Sequence, residues 1–270
     1  MNHPISAAAT TPSLLGRLRI AIRVAAMVLL LIACIPAYYL WRPFTNHNPW
    51  PGIFLGGITR IAGVDVRIAG RRMITRRMAG GEFLLANHVS WIDIPAIASA
   101  AGAAFVAHDG LASVPLLRWL CDLNDTVFVA RHDRSSVAQQ VADVREAIRD
   151  TGALAIFPEG TTSDGTDLLP FKSALLSALD PVPEGIIVQP LWLDYGPRTS
   201  EIAWVGDEPG LVNFWRILAD PRPITLTVHF LPPLEGEALA NRKTMAVAAR
   251  NAILQAMQSA REPSGRRAGV

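Results

Sequence analysis

His88 and Asp93 have the residue types and the spacing that acid–base chemistry needs. They lie in Asn87-His88-Val89-Ser90-Trp91-Ile92-Asp93, directly after the apolar run Phe83 to Ala86. That run reads as a buried strand. Ser90, with Asp93 three residues on, reads as a capping box opening a helix. His88 is thereby expected on a strand-to-helix turn, at the carboxyl end of its strand, where open α/β sheets bind ligands. A histidine there can take a proton near neutral pH. A carboxylate about one helical turn away can fix its tautomer and stabilise the imidazolium. Taken alone the pair is a weak signal, because Asp93 also suits a helix cap and His88 an ordinary turn.

A second stretch, Phe157-Pro158-Glu159-Gly160-Thr161-Thr162-Ser163-Asp164-Gly165, follows another apolar run. It combines two glycines, acids and hydroxyl residues. Exposed backbone N–H groups and hydroxyls in such a turn suit a phosphate or an oxyanion. By itself it is also readable as a plain Gly/Ser/Thr loop.

The elements that must position these residues follow from periodicity. Strands are expected at Val64–Ala69, 83–87, Ala104–Ala107, Val127–Ala130, Ala153–Phe157, Ile186–Leu193 and Thr225–Leu231. Helices are expected from Ser90 to about Ala101, over Ser136–Asp150, over Phe171–Leu179 and over Ala238–Ser259. Strands alternating with helices give an α/β fold, a mostly parallel or mixed sheet flanked by helices. The organisation expected is an unstructured 1–16, a membrane-anchoring helix pair at 17–63, a catalytic domain at 64–261 and an unstructured tail at 262–270.

Composition points to a membrane. Apolar residues make up 50% of the chain and charged residues only 18%, which is apolar for a soluble protein. Residues 1–80 hold ten arginines, no lysine and one acid, Asp65, whereas the remainder is net acidic. These arginines flank apolar runs, which fits anionic lipid better than nucleic acid. Arg17, Arg19 and Arg23 lead into Val24–Trp41, an uncharged run of 18 residues closed by Tyr38, Tyr39 and Trp41. Pro36 interrupts it, and Pro51–Val64 offers a second apolar segment. The pair either forms a hairpin or lies half-sunk in the cytoplasmic leaflet. Both readings leave the catalytic domain at the cytoplasmic face of a bacterial-type inner membrane. Two cysteines, Cys34 and Cys121, form no disulfide or metal pattern, and no metal is expected.

Together the two stretches resemble the glycerolipid acyltransferase family, whose members make phosphatidic acid from lysophosphatidic acid. The resemblance rests on Asn-His-x4-Asp followed by Phe-Pro-Glu-Gly-Thr and covers about Phe83 to Leu193. Phe128-Val129-Ala130-Arg131 resembles the intermediate block, so Arg131 falls on the family's acceptor-binding arginine. Val188-Gln189-Pro190-Leu191 resembles the last block. The resemblance implies that His88 takes the proton of a lipid hydroxyl while Asp93 holds the imidazole. The oxygen then attacks the thioester of an acyl carrier protein or coenzyme A. Glu159, Gly160 and Thr161 are implied to shape the acceptor pocket, with Thr162 and Lys172 beside them. No Gly-x-Ser-x-Gly elbow is present, so direct transfer without an acyl-enzyme is expected. No cofactor beyond the acyl donor is implied, and oligomeric state is not readable.

Departures from the family pattern bear on the acceptor. Thr162 stands where an arginine would pair bidentately with phosphate. His108 replaces a common lysine, and Arg118 and Asp125 replace glycines. Arg131 and Lys172 remain as cations. The string from Gly160 to Ser173 resembles the branch that acylates lyso-ornithine lipid, a phosphate-free acceptor bearing an ammonium and a carboxylate. Asp164 or Asp167 could meet that cation, or simply line a solvated loop. Lysophosphatidic acid is thus the family default and lyso-ornithine lipid a close second. A non-catalytic lipid-binding homologue and a hydrolase are the other readings. Arg71, Arg72, Arg76 and Arg77 are expected to lie on lipid head groups or to dock an acidic carrier.

Overall fold

The computed structural model describes residues 12–44, 48–73, 80–108, 115–129, 146–148 and 150–261. The strands are β1 (Val64–Gly70), β2 (Glu82–Ala86), β3 (Ala104–His108), β4 (Val127–Val129), β5 (Ala153–Ile156), β6 (Ile187–Asp194) and β7 (Ile224–Phe230). They form one sheet in the order β1-β7-β6-β2-β5-β3-β4. Every neighbouring pair is parallel except β6 with β7. Helices cover both faces, so β2 and β5 are buried at every residue. This is why they read as continuous apolar runs rather than alternating ones. Leu84 and Ala86 face one layer of core, and Phe83 and Leu85 face the other.

The first layer contains α1 (Leu14–Trp41), α2 (Trp50–Ala62), α3 (Asp93–Ala101) and α5 (Gly210–Ala219). The opposite face carries α6 (Arg242–Arg261) and a 3-10 segment at Ser173–Leu179, while α4 (Pro115–Leu123) precedes β4. Asn241 caps α6 by accepting from the amides of Lys243 and Thr244.

α1 is long and apolar enough to cross a bilayer, yet it packs against the rest of the chain along its length. Leu30 rests on α2 at Gly57, where any Cβ would overlap it. Near its end the Tyr38 carbonyl accepts from Asn48 Nδ2 at 3.1 Å. The Arg19 and Arg23 guanidiniums donate to the last carbonyls of α5. The opposite stripe, with Leu14, Leu18, Ile22, Leu29, Ile32 and Leu40, is exposed.

Several expectations are corrected. The helix expected from Ser90 begins at Asp93, and residues 90–92 form a turn. Only the carboxylate half of the capping box forms, because the Ser90 hydroxyl donates to Asn213 instead. The helix expected at Phe171–Leu179 is the 3-10 segment, and α6 starts later than Ala238, after a 3-10 turn at Gly236–Leu239. Residues 14–16, expected unstructured, open α1, and Ser13 caps it, its Oγ accepting from the Gly16 amide. The Ser136–Asp150 helix lies mostly outside the described residues, as do 1–11 and 262–270. α5 has no counterpart among the expected elements.

Candidate active site

β2 and β5 are parallel neighbours, so their carboxyl ends deliver the two chemistry-bearing stretches side by side. The Asn87 side chain pins the first turn to β6: its Oδ1 accepts from Leu193 N at 2.7 Å and its Nδ2 donates to Leu193 O at 3.2 Å. The Glu159 carboxylate then bridges the two stretches. Its Oε1 accepts from the His88 amide at 2.8 Å, and its Oε2 accepts from the Leu169 amide at 3.0 Å. The His88 carbonyl in turn accepts from the Ser163 amide at 2.8 Å. Burial pushes the Glu159 carboxyl up, against the downward pull of the hydrogen bonds from the His88 and Leu169 amides.

His88 Nδ1 lies 2.8 Å from Asp93 Oδ2. The same oxygen accepts from the Val89 amide at 2.6 Å and the Ser90 amide at 2.9 Å. Asp93 Oδ1 accepts from the Tyr195 hydroxyl at 2.6 Å. A fully buried carboxylate is thus saturated by donors, as a buried charge must be. Because Asp93 only accepts here, the hydrogen-bond network assigns the ring hydrogen to Nδ1 and leaves Nε2 as the proton acceptor. Phe157 stacks on the imidazole at 4.0 Å between centroids and 14° between planes, fixing its second side. The His88 side chain retains 16% of its exposure, so the ring is reachable.

Tyr195 is the functional residue that sequence reasoning misses. It follows the end of β6, and no spacing rule links it to Asp93 from 102 positions away. Its phenol is pushed well above its ordinary value by burial, with the Asp93 charge adding to the effect. It therefore remains a neutral O–H donor.

The remaining expected residues divide. Gly160 sits at φ +68°, and a Cβ there would come within 2.9 Å of Lys172 Nζ, so the lysine lies across the glycine. Thr161 is exposed beside them. Thr162 is half-buried and donates its hydroxyl to the Trp204 carbonyl. Asp164 and Asp167 are exposed, and each uses Oδ1 to accept from a nearby amide, that of Thr166 or Leu168. Arg131 lies outside the described residues. Arg72 is not free for docking, because its Nε donates to the buried Glu82 at 2.6 Å; Arg76 and Arg77 lie outside the described residues. A cavity of about 400 Å³, lined by Arg72, Asp125, Gly102 and Gly152, opens at the amino ends of the strands, away from His88.

The arrangement is a buried carboxylate, an oriented imidazole with Nε2 available, and a flanking turn of small and hydroxyl residues. It can deprotonate an alcohol for attack on an acyl carbon. A family model described as Acyltransferase matches residues 65–194. The lyso-ornithine lipid O-acyltransferase of Rhodobacter capsulatus is 33% identical over 262 residues, covering 91% of this chain and 92% of that protein. The protein of the same name from Brucella abortus is 30% identical and covers 92% and 97%. The crystal structure of the 1-acyl-sn-glycerophosphate acyltransferase PlsC from Thermotoga maritima has the same fold, with a TM-score of 0.62 at 18% identity over 92% of this chain and 98% of that one. The chain is therefore an acyltransferase, and it belongs to the family that its two paired stretches resemble.

Proposed function

We propose that this acyltransferase moves a fatty acyl group to the hydroxyl of lyso-ornithine lipid, with lysophosphatidic acid as the second acceptor. His88 Nε2 takes the hydroxyl proton as the oxygen attacks the thioester carbon of acyl carrier protein or coenzyme A. The tetrahedral intermediate collapses, the C–S bond breaks, and the imidazolium returns the proton to the departing sulfur. Asp93 stabilises that imidazolium. The amides of His88, Val89, Ser90, Gly160 and Ser163 are already spent within the site. We assign the oxyanion to the Thr161 and Thr162 amides, which follow Gly160 in this loop and are uncommitted donors among the described residues.

The observation that carries the acceptor assignment is the Thr162 hydroxyl tied to the Trp204 carbonyl. At that position a phosphate-binding member would present a guanidinium, and here no charge is offered. The names of the two full-length relatives agree with this ordering. Purified protein in mixed micelles containing equal lyso-ornithine lipid and lysophosphatidic acid should acylate the former preferentially, by about tenfold or more, the scale of one lost charge-assisted contact. Preference for the phosphate-bearing acceptor would reverse the assignment.

Tyr195→Phe keeps the buried ring and removes one donor from Asp93. The carboxylate then has one fewer contact fixing its orientation, and the imidazole is held less firmly. The expected result is a severalfold lower kcat with the KM for the lipid acceptor unchanged. An unchanged kcat would make Tyr195 a packing residue only.

For the membrane, we infer that α1 lies in the plane of the cytoplasmic leaflet rather than crossing it. A crossing helix would have to leave α2 and α5, against which α1 is packed from Arg19 to Tyr38. The exposed stripe of Leu14, Leu18, Ile22, Leu29, Ile32 and Leu40 supports this reading.

A further inference from the structure

α5 carries an apolar surface that the mechanism does not use. Leu211 is 68% exposed, Val212 36% and Trp215 38%. Its other side faces the site. Asn213 is fully buried, accepts from Ser90 Oγ at 3.5 Å and donates to the Ala203 carbonyl at 3.2 Å. Phe214 lies 5.1 Å from Trp91 of the catalytic turn and 4.9 Å from Trp215. The helix thus has one side on the catalytic turn and the other bare.

The bare side runs into α1. Leu211, Trp215 and Ala219 follow at intervals of four and so form one stripe. At its end, a side chain added at Gly16 of α1 would lie 3.7 Å from the Ala219 methyl. Leu14, Leu15 and Leu18 stand exposed around Gly16. Arg19 Nη1 donates to the Ala219 carbonyl at 2.7 Å, and Arg23 Nη1 donates to the Leu218 carbonyl at 3.0 Å. The two helices are locked together where Gly16 meets Ala219, and each carries exposed apolar side chains on either side of that crossing. Arg17 is exposed in the same first turns of α1, where it suits anionic head groups.

We infer that α5 is a third membrane-seating element. Leu211, Val212 and Trp215 enter the same leaflet as the α1 stripe, and through Asn213 and Phe214 they hold the catalytic turn at the lipid interface. The occupant of this surface is the bilayer. Continuity with the α1 stripe argues for it, and the inference rests on the membrane-lying reading of α1. The consequence is that His88 is held at a set height above the lipid, so a lysolipid can present its hydroxyl without leaving the membrane.

The test uses the full chain with Cys34→Ala and Cys121→Ser, carrying one nitrobenzoxadiazole-labelled cysteine at a time. Sites are Val212→Cys on α5, Leu29→Cys on the α1 stripe and Val247→Cys on α6, which is exposed on the opposite layer. Vesicles of phosphatidylethanolamine and phosphatidylglycerol contain nitroxide-bearing lipid as quencher. Residues 212 and 29 should be quenched severalfold more than 247. Quenching at 29 but not at 212 overturns the role of α5 and leaves α1 in the membrane. Quenching at neither overturns the membrane-lying reading itself. A label at 212 shielded from aqueous iodide yet untouched by the nitroxide would mean a second protein copy covers α5, which also overturns the inference. Should Val212→Cys fail to fold, Leu211→Cys reads the same surface.

Discussion

His88→Ala lowers kcat by about 10³-fold or more while leaving the fold and vesicle binding in place; the expected loss is that of a positioned general base. The argument for an intact fold is specific. Removing the ring takes one donor from Asp93, but the amides of Val89 and Ser90 and the Tyr195 hydroxyl still surround the carboxylate. The stacking contact with Phe157 is also lost, a cost of about 1 kcal/mol. The backbone of residue 88 keeps its bonds to Glu159 and Ser163, which do not depend on the side chain. Acyl transfer by the purified variant, with flotation on lipid vesicles and thermal unfolding run in parallel, checks all three parts. Turnover within tenfold of wild type would remove His88 from the chemistry.

Glu159→Ala lowers stability strongly, because it removes the bridge between the two stretches. It strips partners from two amides, those of His88 and Leu169, in a place where the side chain is only 1% exposed. Both bonds are part-buried, and at about 1–3 kcal/mol for each fully buried orphaned donor a total of about 3 kcal/mol is expected. Activity falls with it, because the His88 backbone loses the tie that sets the ring against Asp93. Glu159→Gln keeps one accepting oxygen and should lose about half as much stability. Urea unfolding of the three proteins at one pH gives the comparison directly. Equal midpoints for wild type and Glu159→Ala would show that the bridge is not what holds the two turns together.

The contrast between these variants reflects what is legible in a sequence. The contact between His88 and Asp93 is local, within five residues, so spacing suggests it and the second stretch strengthens the reading. That Glu159 sits near them follows once two apolar runs are read as parallel neighbours. That Glu159 braces the His88 amide does not follow, because a carboxylate's partners depend on which loop folds back over it. Leu169 supplies the second half of that brace, ten residues further along an irregular segment. Tyr195 is harder still, since its tie to Asp93 requires the register of β6 beside β2.

Helix α5 escapes for a different reason. Gly210-Leu211-Val212-Asn213-Phe214-Trp215 joins a glycine, a valine, an asparagine and two aromatics, so local propensity does not announce a helix. Tertiary contacts decide it: Asn213 buries toward Ser90, and the arginines of α1 satisfy its terminal carbonyls. Composition reads those same arginines as lipid-facing, and in the fold Arg19 and Arg23 also act as capping donors. The start of α3 shows the same effect on a smaller scale. The Ser90 hydroxyl abandons its capping role because Asn213 is in reach, and the helix begins three residues later.

The central claim is that a single imidazole, oriented by Asp93, passes an acyl group straight to a lipid hydroxyl. Its most direct measurement is the fate of a radiolabelled acyl group when purified protein, acyl carrier thioester and vesicles bearing lyso-ornithine lipid are mixed and quenched during turnover. The account predicts label in the O-acylated lipid, only background label on the protein, and no product from His88→Ala. Stoichiometric label on the protein, or equal product from the His88→Ala variant, would contradict it.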